Sequence, residues 1–386
     1  MFITADKIHD GRDWLPEGTA IEIDDKGTIV GLHSNVPGAQ RFDGVLCPGF
    51  VNVHCHLELS HLKGLIPERA GLVSFLQQVM SLRPEFSDPA QRVTSRRAEF
   101  EQMCANGIVA VGDISNTNDT IDLRAEDRIH FHSFVEALGF HPSPQPQFAA
   151  SVQVYEGFTQ QAGERKLLRQ SIVPHAPYSV SDALFRMIDG HDSRSLISIH
   201  NQESPYEDEY YRSKTGGMQV LLHSVGIRDD FFVPPGTSSL SAYLPWLSAS
   251  HPFIFVHNTF TPKADIAFAQ ATLEKVYWCL CPNANLYIED TLPDVNEFIA
   301  ENATICIGTD SLASNHQLCI LSELHTLRKH FPRLEWKQLL QWGTYNGAKA
   351  LQMDELIGTI GPGKQPGILQ LQHLDDGDKP TVKRIA

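Results

Sequence analysis

The sequence lacks long hydrophobic runs and any excess of positive charge. No apolar stretch approaches the ~20 residues that a membrane-spanning helix needs, and the opening residues MFITADKIHDGRDW contain no apolar core of a signal peptide. Lysine and arginine number 31 against 46 aspartates and glutamates, so the net charge is −15, whereas nucleic-acid binding requires a basic face. We therefore expect no membrane partner, no nucleic-acid partner and a cytoplasmic location.

Cysteine is scarce, and the motifs of several enzyme classes are missing. The seven cysteines show no regular spacing, which is typical of reduced thiols. There is no HExxH, GxSxG or GxGxxG motif. Gly358–Lys364 mimics a phosphate-binding loop, but Gln365 stands where that loop needs serine or threonine. His56-Leu-Glu58 matches half of the cytidine-type zinc deaminase signature, but Cys279-Leu-Cys281 does not supply the other half.

Short apolar runs alternate with helical segments from Phe50 to about Leu356. Two of the helical segments are Ser95–Cys104 and Pro262–Glu274, the latter with Thr261 placed as its N-cap. Strand followed by helix, repeated eight times, predicts an α/β fold with a (β/α)₈ barrel, and an open doubly wound sheet is the alternative. The predicted strands are Gly49–Val53, Ile108–Val111, Ile129–Val135, Gln170–Val173, Leu196–Ile199, Phe253–Val256, Val276–Leu280 and Thr304–Ile307.

The two chain ends have a different pattern from the centre. Ala20–Asp24 and Thr28–Leu32 flank a turn and predict a β-hairpin. After a predicted helix at Trp336–Met353, the glycine-rich stretch Gly358–Leu371 is again extended. We therefore predict a catalytic barrel over residues 49–357 and a small β-sandwich formed by residues 1–48 and 358–386.

Histidine is the residue type in excess, with 18 copies, and several histidines end predicted strands. His54 and His56 follow the first strand and point to the same side, because residues two apart on a strand share a face. His200, His257 and Asp310 end the fifth, sixth and eighth strands. Each residue alone has an ordinary structural explanation. Together, at the end of a barrel that carries active sites, they predict a catalytic site for a divalent metal.

Five segments resemble the amidohydrolase superfamily. They are PGFVNVHCHLELS (48–60), PHAPYSVS (174–181), HNQES (200–204), HNTF (257–260) and GTDSLASN (308–315). The resemblance covers essentially the whole chain. It is closest to the branch of deaminases and chlorohydrolases, which includes adenosine-type, guanine, cytosine and aminodeoxyfutalosine deaminases. It implies a metal-dependent hydrolase with a barrel and a split β-sandwich.

The resemblance also implies roles for individual residues. Asp310 resembles the last metal ligand, which accepts a proton from the attacking water. Glu203 resembles the acid that protonates a ring nitrogen of the substrate, and His257 resembles the histidine that contacts the water. The implied metal ligands are His54, His56, His200 and Asp310, and the implied catalytic residues are Glu203, His257 and Asp310.

The number of metal ions and the substrate contacts are further expectations from the resemblance. Relatives with two metals carry a lysine at the end of strand four, but here the nearest one, Lys166, lies upstream. We therefore expect one divalent ion, with Zn²⁺ first and Fe²⁺ also compatible. The candidate substrate-binding residues are His175, Tyr178, Ser311 and Arg69, although a plain surface role is favoured for Arg69.

Glu203 favours one function among three. We predict a deaminase that acts on an amino-substituted purine-like heterocycle or nucleoside, adenosine-type or aminodeoxyfutalosine-like, and releases ammonia. An s-triazine chlorohydrolase is the first alternative, but chloride leaves without a proton, so an acid at position 203 argues against it. A non-catalytic scaffold that keeps the fold is the second alternative, and the intact set of metal ligands argues against it. We expect the loops 58–89 and 203–245 to determine which substrate binds, and residues 203–217 to form a lid over the site. Whether the protein forms a homodimer is left open.

Overall fold

The computed structural model describes residues 1–85, 88–163, 168–375 and 379–386. Its strands are β1 (Phe2–Ile8), β2 (Thr19–Ile23), β3 (Ile29–Ser34), β4 (Gln40–Pro48), β5 (Phe50–Cys55), β6 (Ile108–Ser115), β7 (His130–Ala137), β8 (Leu168–Pro174), β9 (Ile197–Asn201), β10 (Pro252–His257), β11 (Lys275–Leu280), β12 (Ile305–Ile307), β13 (Ile368–Gln372) and β14 (Thr381–Arg384).

Helices fill most of the connections between these strands. The α-helices are α1 (Leu72–Glu85), α2 (Pro89–Ala105), α3 (Ile121–Arg124), α4 (Gln145–Ala162), α5 (Asp182–His191), α6 (Pro205–Ser213), α7 (Gly217–Ser224), α8 (Ser239–Tyr243), α9 (Lys263–Thr272), α10 (Pro282–Glu289), α11 (Val295–Ala300), α12 (Ile320–His330), α13 (Trp336–Gln341) and α14 (Gly347–Ala350). Short 3₁₀-helices lie at Leu57–Leu62, Pro177–Ser179 and Leu244–Trp246, and a π-helix lies at Trp342–Asn346.

Eight parallel strands form a barrel at the centre of the molecule. They make two sheets, in the orders β5-β6-β7-β8 and β12-β11-β10-β9. The first seam between the sheets is closed where the Thr309 and Asp310 amides donate to the His54 carbonyl, at 3.0 and 3.1 Å. The second is closed where the His200 amide donates to the His175 carbonyl at 3.0 Å. The predicted (β/α)₈ barrel is confirmed, and the open doubly wound sheet is wrong.

The barrel strands are apolar because both of their faces are covered. Every residue of β5, β6 and β10 is buried, as expected for parallel strands enclosed by helices. All eight predicted strands are present, with small differences at their ends.

Both chain ends contribute to a second, six-stranded sheet in the order β14-β13-β4-β1-β2-β3. The predicted hairpin is β2 paired antiparallel with β3, and β13 pairs antiparallel with β4. Isoleucines at positions 3, 8, 21, 23 and 368 form much of its buried core. β4 ends at Pro48 and the first barrel strand begins at Phe50, so the chain passes directly from this sheet into the barrel.

Two predicted helices differ in detail from those in the structure. Pro262, with φ −76° and ψ 155°, is the N-cap of α9, so the placement of Thr261 there was wrong. The Thr261 hydroxyl instead accepts a hydrogen bond from the buried Asn201 side chain at 3.2 Å. The helix predicted at Trp336–Met353 is divided into α13, the π-helix and α14.

The described part of the chain contains no helix that is both long and apolar enough to cross a bilayer. All seven cysteines are buried free thiols.

Gly347→Ala should lower the free energy of unfolding by about 1–3 kcal/mol, the usual range for overpacking a core. A Cβ at Gly347 would lie 2.8 Å from the Cβ of Val51, on the first barrel strand. Gly190→Ala is the matched control, because a Cβ there meets nothing within 4 Å in helix α5, and we expect it to be neutral or stabilising. Chemical denaturation measures both. Equal stability of the two variants would contradict the close packing of α14 on β5.

Candidate metal centre and active site

Four buried side chains converge at the C-terminal end of the barrel. His54 lies near the end of β5 and His56 just after it, His200 lies on β9, and Asp310 follows β12. The His56 Nε2 atom is 3.2 Å from His54 Nε2, 3.3 Å from His200 Nε2 and 3.3 Å from Asp310 Oδ1. His54 Nε2 is 3.5 Å from the same Asp310 oxygen. The structure therefore brings all four sequence-predicted ligands together.

The spacing of these atoms fits a tetrahedral metal ion. Four ligands at about 2.1 Å from an ion in tetrahedral geometry lie roughly 3.4 Å from one another. The four measured separations run from 3.2 to 3.5 Å. Three imidazoles and one carboxylate are also a donor set that suits a divalent transition metal. These residues could hold such an ion.

The protonation states of the four residues also suit metal binding. Burial lowers the pKa of His54, and burial and the neighbouring imidazoles lower the pKa values of His56 and His200 well below 6.5. Burial alone would raise the pKa of Asp310, but the hydrogen bond from His54 and the nearby imidazoles hold it well below 3.8. The site thus presents neutral imidazoles and an ionised carboxylate, the forms that bind metals.

Asp310 and His200 are oriented by groups that the sequence analysis missed. Asp310 has a left-handed backbone with φ 57°, and its Oδ2 accepts a hydrogen bond from the Ser314 hydroxyl. The Asn52 side chain both donates to and accepts from Thr309, at 2.8 and 3.1 Å, and so fixes the residue before Asp310. His200 Nδ1 lies 2.7 Å from the His175 carbonyl, which leaves Nε2 for the metal. Ser314 was within the quoted GTDSLASN segment, but no sequence spacing points to its partner.

Glu203 and His257 lie next to the ligand cluster. Glu203 Oε1 is 3.6 Å from His257 Nε2, and both side chains are buried. Burial raises the pKa of Glu203 to about 7. The carboxyl group is therefore partly protonated at neutral pH and is able to donate a proton. The ligand atoms of His54, His200, His257 and Asp310 all lie within 4.8 Å of one another, so His257 is close enough to the cluster to be an alternative ligand.

A cavity of about 680 Å³ opens above these residues. Its floor contains His56, His200, Glu203, His257 and Asp310. Its walls are largely apolar, with side chains from α1, from α7 and from the segment after α7. These wall residues are Leu72, Phe75, Leu76, Val79, Met80, Leu221, Leu222, Val225 and Ile227.

Three of the four candidate substrate-binding residues line this cavity, and one does not. His175, Tyr178 and Ser311 lie on its wall. Arg69 is 66% exposed, its Nε lies 3.2 Å from Asp290 Oδ1, and it lines a different surface depression. The structure therefore places Arg69 at the surface, in the role that the sequence favoured for it, because the loop carries it to the outside of α10.

The segment predicted as a lid is a packed helix. Residues 205–213 form α6, and its Tyr210 and Tyr211 are fully buried. Apart from Glu203 itself, the part of loop 203–245 that lines the cavity begins at Leu221.

Two further acidic residues line the cavity and were not predicted as site residues from the sequence. Glu58 Oε2 accepts a hydrogen bond from the backbone N–H of Asn116 at 3.1 Å, and Glu136 Oε2 accepts one from the side-chain Nδ2 of Asn116 at 2.9 Å. Glu136 lies near the end of β7, so examining the residue that ends every predicted strand would have found it. Its Oε1 is 3.6 Å from His200 Nδ1.

Comparisons with known proteins agree with this geometry. The sequence model of the amidohydrolase family matches residues 45–379. The chain is 25% identical over 339 residues to an adenosine deaminase of Helicobacter pylori, covering 86% of this chain and 81% of the relative. The structure of H. pylori aminofutalosine deaminase in complex with methylthio-coformycin matches with a TM-score of 0.79 and 21% identity, covering 98% and 93% of the two chains. The zinc complex of atrazine chlorohydrolase from Arthrobacter aurescens matches with a TM-score of 0.75 and 20% identity, covering 98% and 88%.

His56→Ala should empty the metal site, whereas His257→Ala should keep its metal. The reason is that His56 Nε2 lies at tetrahedral spacing from three other ligand atoms, whereas His257 Nδ1 is bonded to Asn285 and its Nε2 faces Glu203. Elemental analysis of the two purified variants, compared with the unchanged protein, measures this difference. Loss of metal from His257→Ala with retention in His56→Ala would show that the ligand set is wrong.

Proposed function

We propose that this chain, which belongs to the amidohydrolase family, is a divalent-metal-dependent deaminase of an amino-substituted purine-like heterocycle or nucleoside and releases ammonia. One observation carries the proposal: a buried carboxyl group with a pKa raised to about 7, Glu203, lines the same cavity as three of the four candidate metal ligands, His56, His200 and Asp310. The relatives named adenosine deaminase and aminofutalosine deaminase support it.

The cavity residues divide the proton transfers of this reaction among them. A divalent ion held by His54, His56, His200 and Asp310 would bind a water in a further coordination position, lower the pKa of that water and so supply the nucleophile. Asp310, which is ionised, accepts a proton from that water, and His257, next to the cluster, orients the attack. Attack on the amino-bearing ring carbon moves electrons onto the adjacent ring nitrogen. Glu203 donates a proton to that nitrogen. Asp310 passes the proton taken from the water to the amino group, which leaves as ammonia, and the new hydroxyl returns a proton to Glu203 as the carbonyl forms.

The proposed cofactor is one Zn²⁺ ion, with Fe²⁺ also compatible. The tetrahedral spacing of the four ligand atoms and their imidazole-rich chemistry support zinc. The fourth barrel strand, β8, has the sequence LRQSIVP and contains no lysine that could bridge a second ion. Lys166, the nearest lysine in the sequence, lies outside the described residues.

The size and lining of the cavity support a substrate larger than a bare heterocycle. A volume of about 680 Å³ exceeds what a bicyclic ring fills, and the apolar wall from α1 and α7 suits an apolar substituent. A nucleoside that carries such a substituent is therefore the preferred substrate. The cytoplasmic location and the homodimer remain predictions.

A chlorohydrolase of an s-triazine is the second candidate function, favoured by the likeness to atrazine chlorohydrolase. The raised pKa of Glu203 supports deamination instead, because an amine is a poorer leaving group than chloride and its displacement depends more on protonation of the ring nitrogen. A non-catalytic scaffold is disfavoured because the ligands and the acid are all present.

The purified protein should contain about one equivalent of divalent metal per chain. Among the described residues the second candidate group, Glu136, His175 and His200, shares His200 with the four ligands and so cannot fill a second site independently. Elemental analysis after removal of loosely bound ions gives the ratio. Two tightly bound equivalents would contradict the single-ion site.

Glu203→Gln should lower turnover by about 10²-fold or more while metal content stays unchanged, because an amide cannot supply the proton that the ring nitrogen needs. Ammonia release from a panel of purine nucleosides with apolar 5′-substituents measures the effect. Glu207→Gln is the matched control: Glu207 is also buried with a pKa raised to about 8, but it does not line the cavity and should tolerate the neutral amide.

A chloro-substituted analogue of the best substrate separates the two candidate functions. Its hydrolysis should suffer less from Glu203→Gln, because its leaving group needs no proton. If Glu203→Gln changed neither reaction, Glu203 would not be the acid and the deaminase proposal would fail.

A further inference from the structure

We infer that Asn285 is a positioning residue that holds His257 in one tautomer and one orientation; this role rests on the proposed function, in which His257 acts on the attacking water. Asn285 lies on α10, directly after the seventh barrel strand β11, and is 1% exposed. It does not line the cavity. Its influence on the reaction must therefore pass through His257.

The two ends of the Asn285 amide contact two parts of His257. Its Oδ1 lies 3.0 Å from His257 Nδ1, and its Nδ2 lies 3.4 Å from the His257 carbonyl oxygen. The second contact is long, but it fixes which way the amide points. A carbonyl oxygen only accepts hydrogen bonds, so the amide nitrogen must face it and Oδ1 must face the ring.

This orientation of the amide selects the tautomer of His257. Oδ1 only accepts, so the bond requires a hydrogen on Nδ1. A neutral imidazole has one N–H, and its lone pair is then on Nε2. That nitrogen faces the active site, 3.6 Å from Glu203 Oε1. Asn285 therefore makes Nε2 of His257 a hydrogen-bond acceptor at the position where the attacking water and Glu203 meet.

The backbone of His257 shows why a second point of attachment is needed. His257 and Asn258 are consecutive non-glycine residues in the left-handed region, with φ 69° and φ 57°. Such conformations cost free energy and persist only where the surroundings hold them. The Asn258 side chain bonds to the carbonyls of Phe255 and Cys279 at 2.8 and 3.2 Å, which fixes one side of this turn. Asn285 contacts the other side, at the His257 carbonyl and ring.

Helix α10 does not itself need the Asn285 side chain. The Asn285 backbone amide donates to the Cys281 carbonyl at 2.9 Å, as in any helix. Asn283 lies on the same helix, and its side chain bonds to Glu323 at 2.8 Å instead of to His257. Asn283 is therefore the matched control for a change of amide on α10.

The first test reads the tautomer directly. The zinc-loaded protein, labelled with ¹⁵N in its histidine rings, gives two-bond ¹H–¹⁵N correlations that distinguish Nδ1–H from Nε2–H, and the His257 signals are assigned by their loss in His257→Ala. We expect His257 to be Nδ1–H in the unchanged protein and in Asn283→Leu. In Asn285→Leu the Nδ1–H form should give way to a mixture, and Asn285→Asp, which keeps the acceptor, should restore it.

The second test asks whether Asn285 acts through His257. Asn285→Leu should lower turnover by about 10–100-fold, the usual effect of removing a residue that orients a site histidine, with little change in KM or metal content. In a His257→Ala background the same change should cost nothing further. Retention of pure Nδ1–H in Asn285→Leu, or an equal loss of turnover in both backgrounds, would overturn the inference. The NMR arm needs no substrate, so it still gives its answer if the deaminase proposal fails.

Discussion

Four buried ligand atoms, three imidazole nitrogens and one carboxylate oxygen, lie close together, with four of their separations between 3.2 and 3.5 Å, and this spacing is the constraint on which the other features of this structure depend. Buried polar groups cost free energy unless they are paired, and a cation between them satisfies all four at once. The four residues come from strands β5, β9 and β12, which the chain forms far apart in sequence. Only a closed barrel brings the ends of those strands to one point, so the ligand set and the fold support each other.

Small polar side chains hold the reactive residues in place. Asp310 and His257 both have left-handed backbones. Ser314 hydrogen-bonds to Asp310, and Asn52 holds the preceding residue, Thr309. Asn285 hydrogen-bonds to His257. Strain of this kind is found at functional sites, where surrounding hydrogen bonds offset it. Glu203 lies beside His257, which favours its ionised form, but burial outweighs this attraction and raises the pKa of Glu203 to about 7. Asp310, the base, is thereby ionised, while Glu203, the acid, is partly protonated in the same cavity.

The barrel and the residues that end its strands could be predicted from sequence because both follow from local patterns. Apolar runs of strand length mark β5 to β12, and the polar residue that ends a run points into the site. Contacts between distant segments could not be predicted in this way. Asn52 and Thr309 are 257 residues apart in sequence, and nothing in either segment indicates the pair. Thr261 was misplaced for the same reason, because the buried Asn201 side chain, 60 residues away in sequence, donates a hydrogen bond to the Thr261 hydroxyl.

The central claim is that one ion binds between His54, His56, His200 and Asp310. Anomalous diffraction at the zinc edge from crystals of the zinc-loaded protein tests it most directly. A single peak should lie about 2.0–2.2 Å from the three Nε2 atoms and from Asp310 Oδ1, with His257 outside bonding distance. Two peaks of comparable height, or one peak bonded to His257 in place of His56, would contradict it.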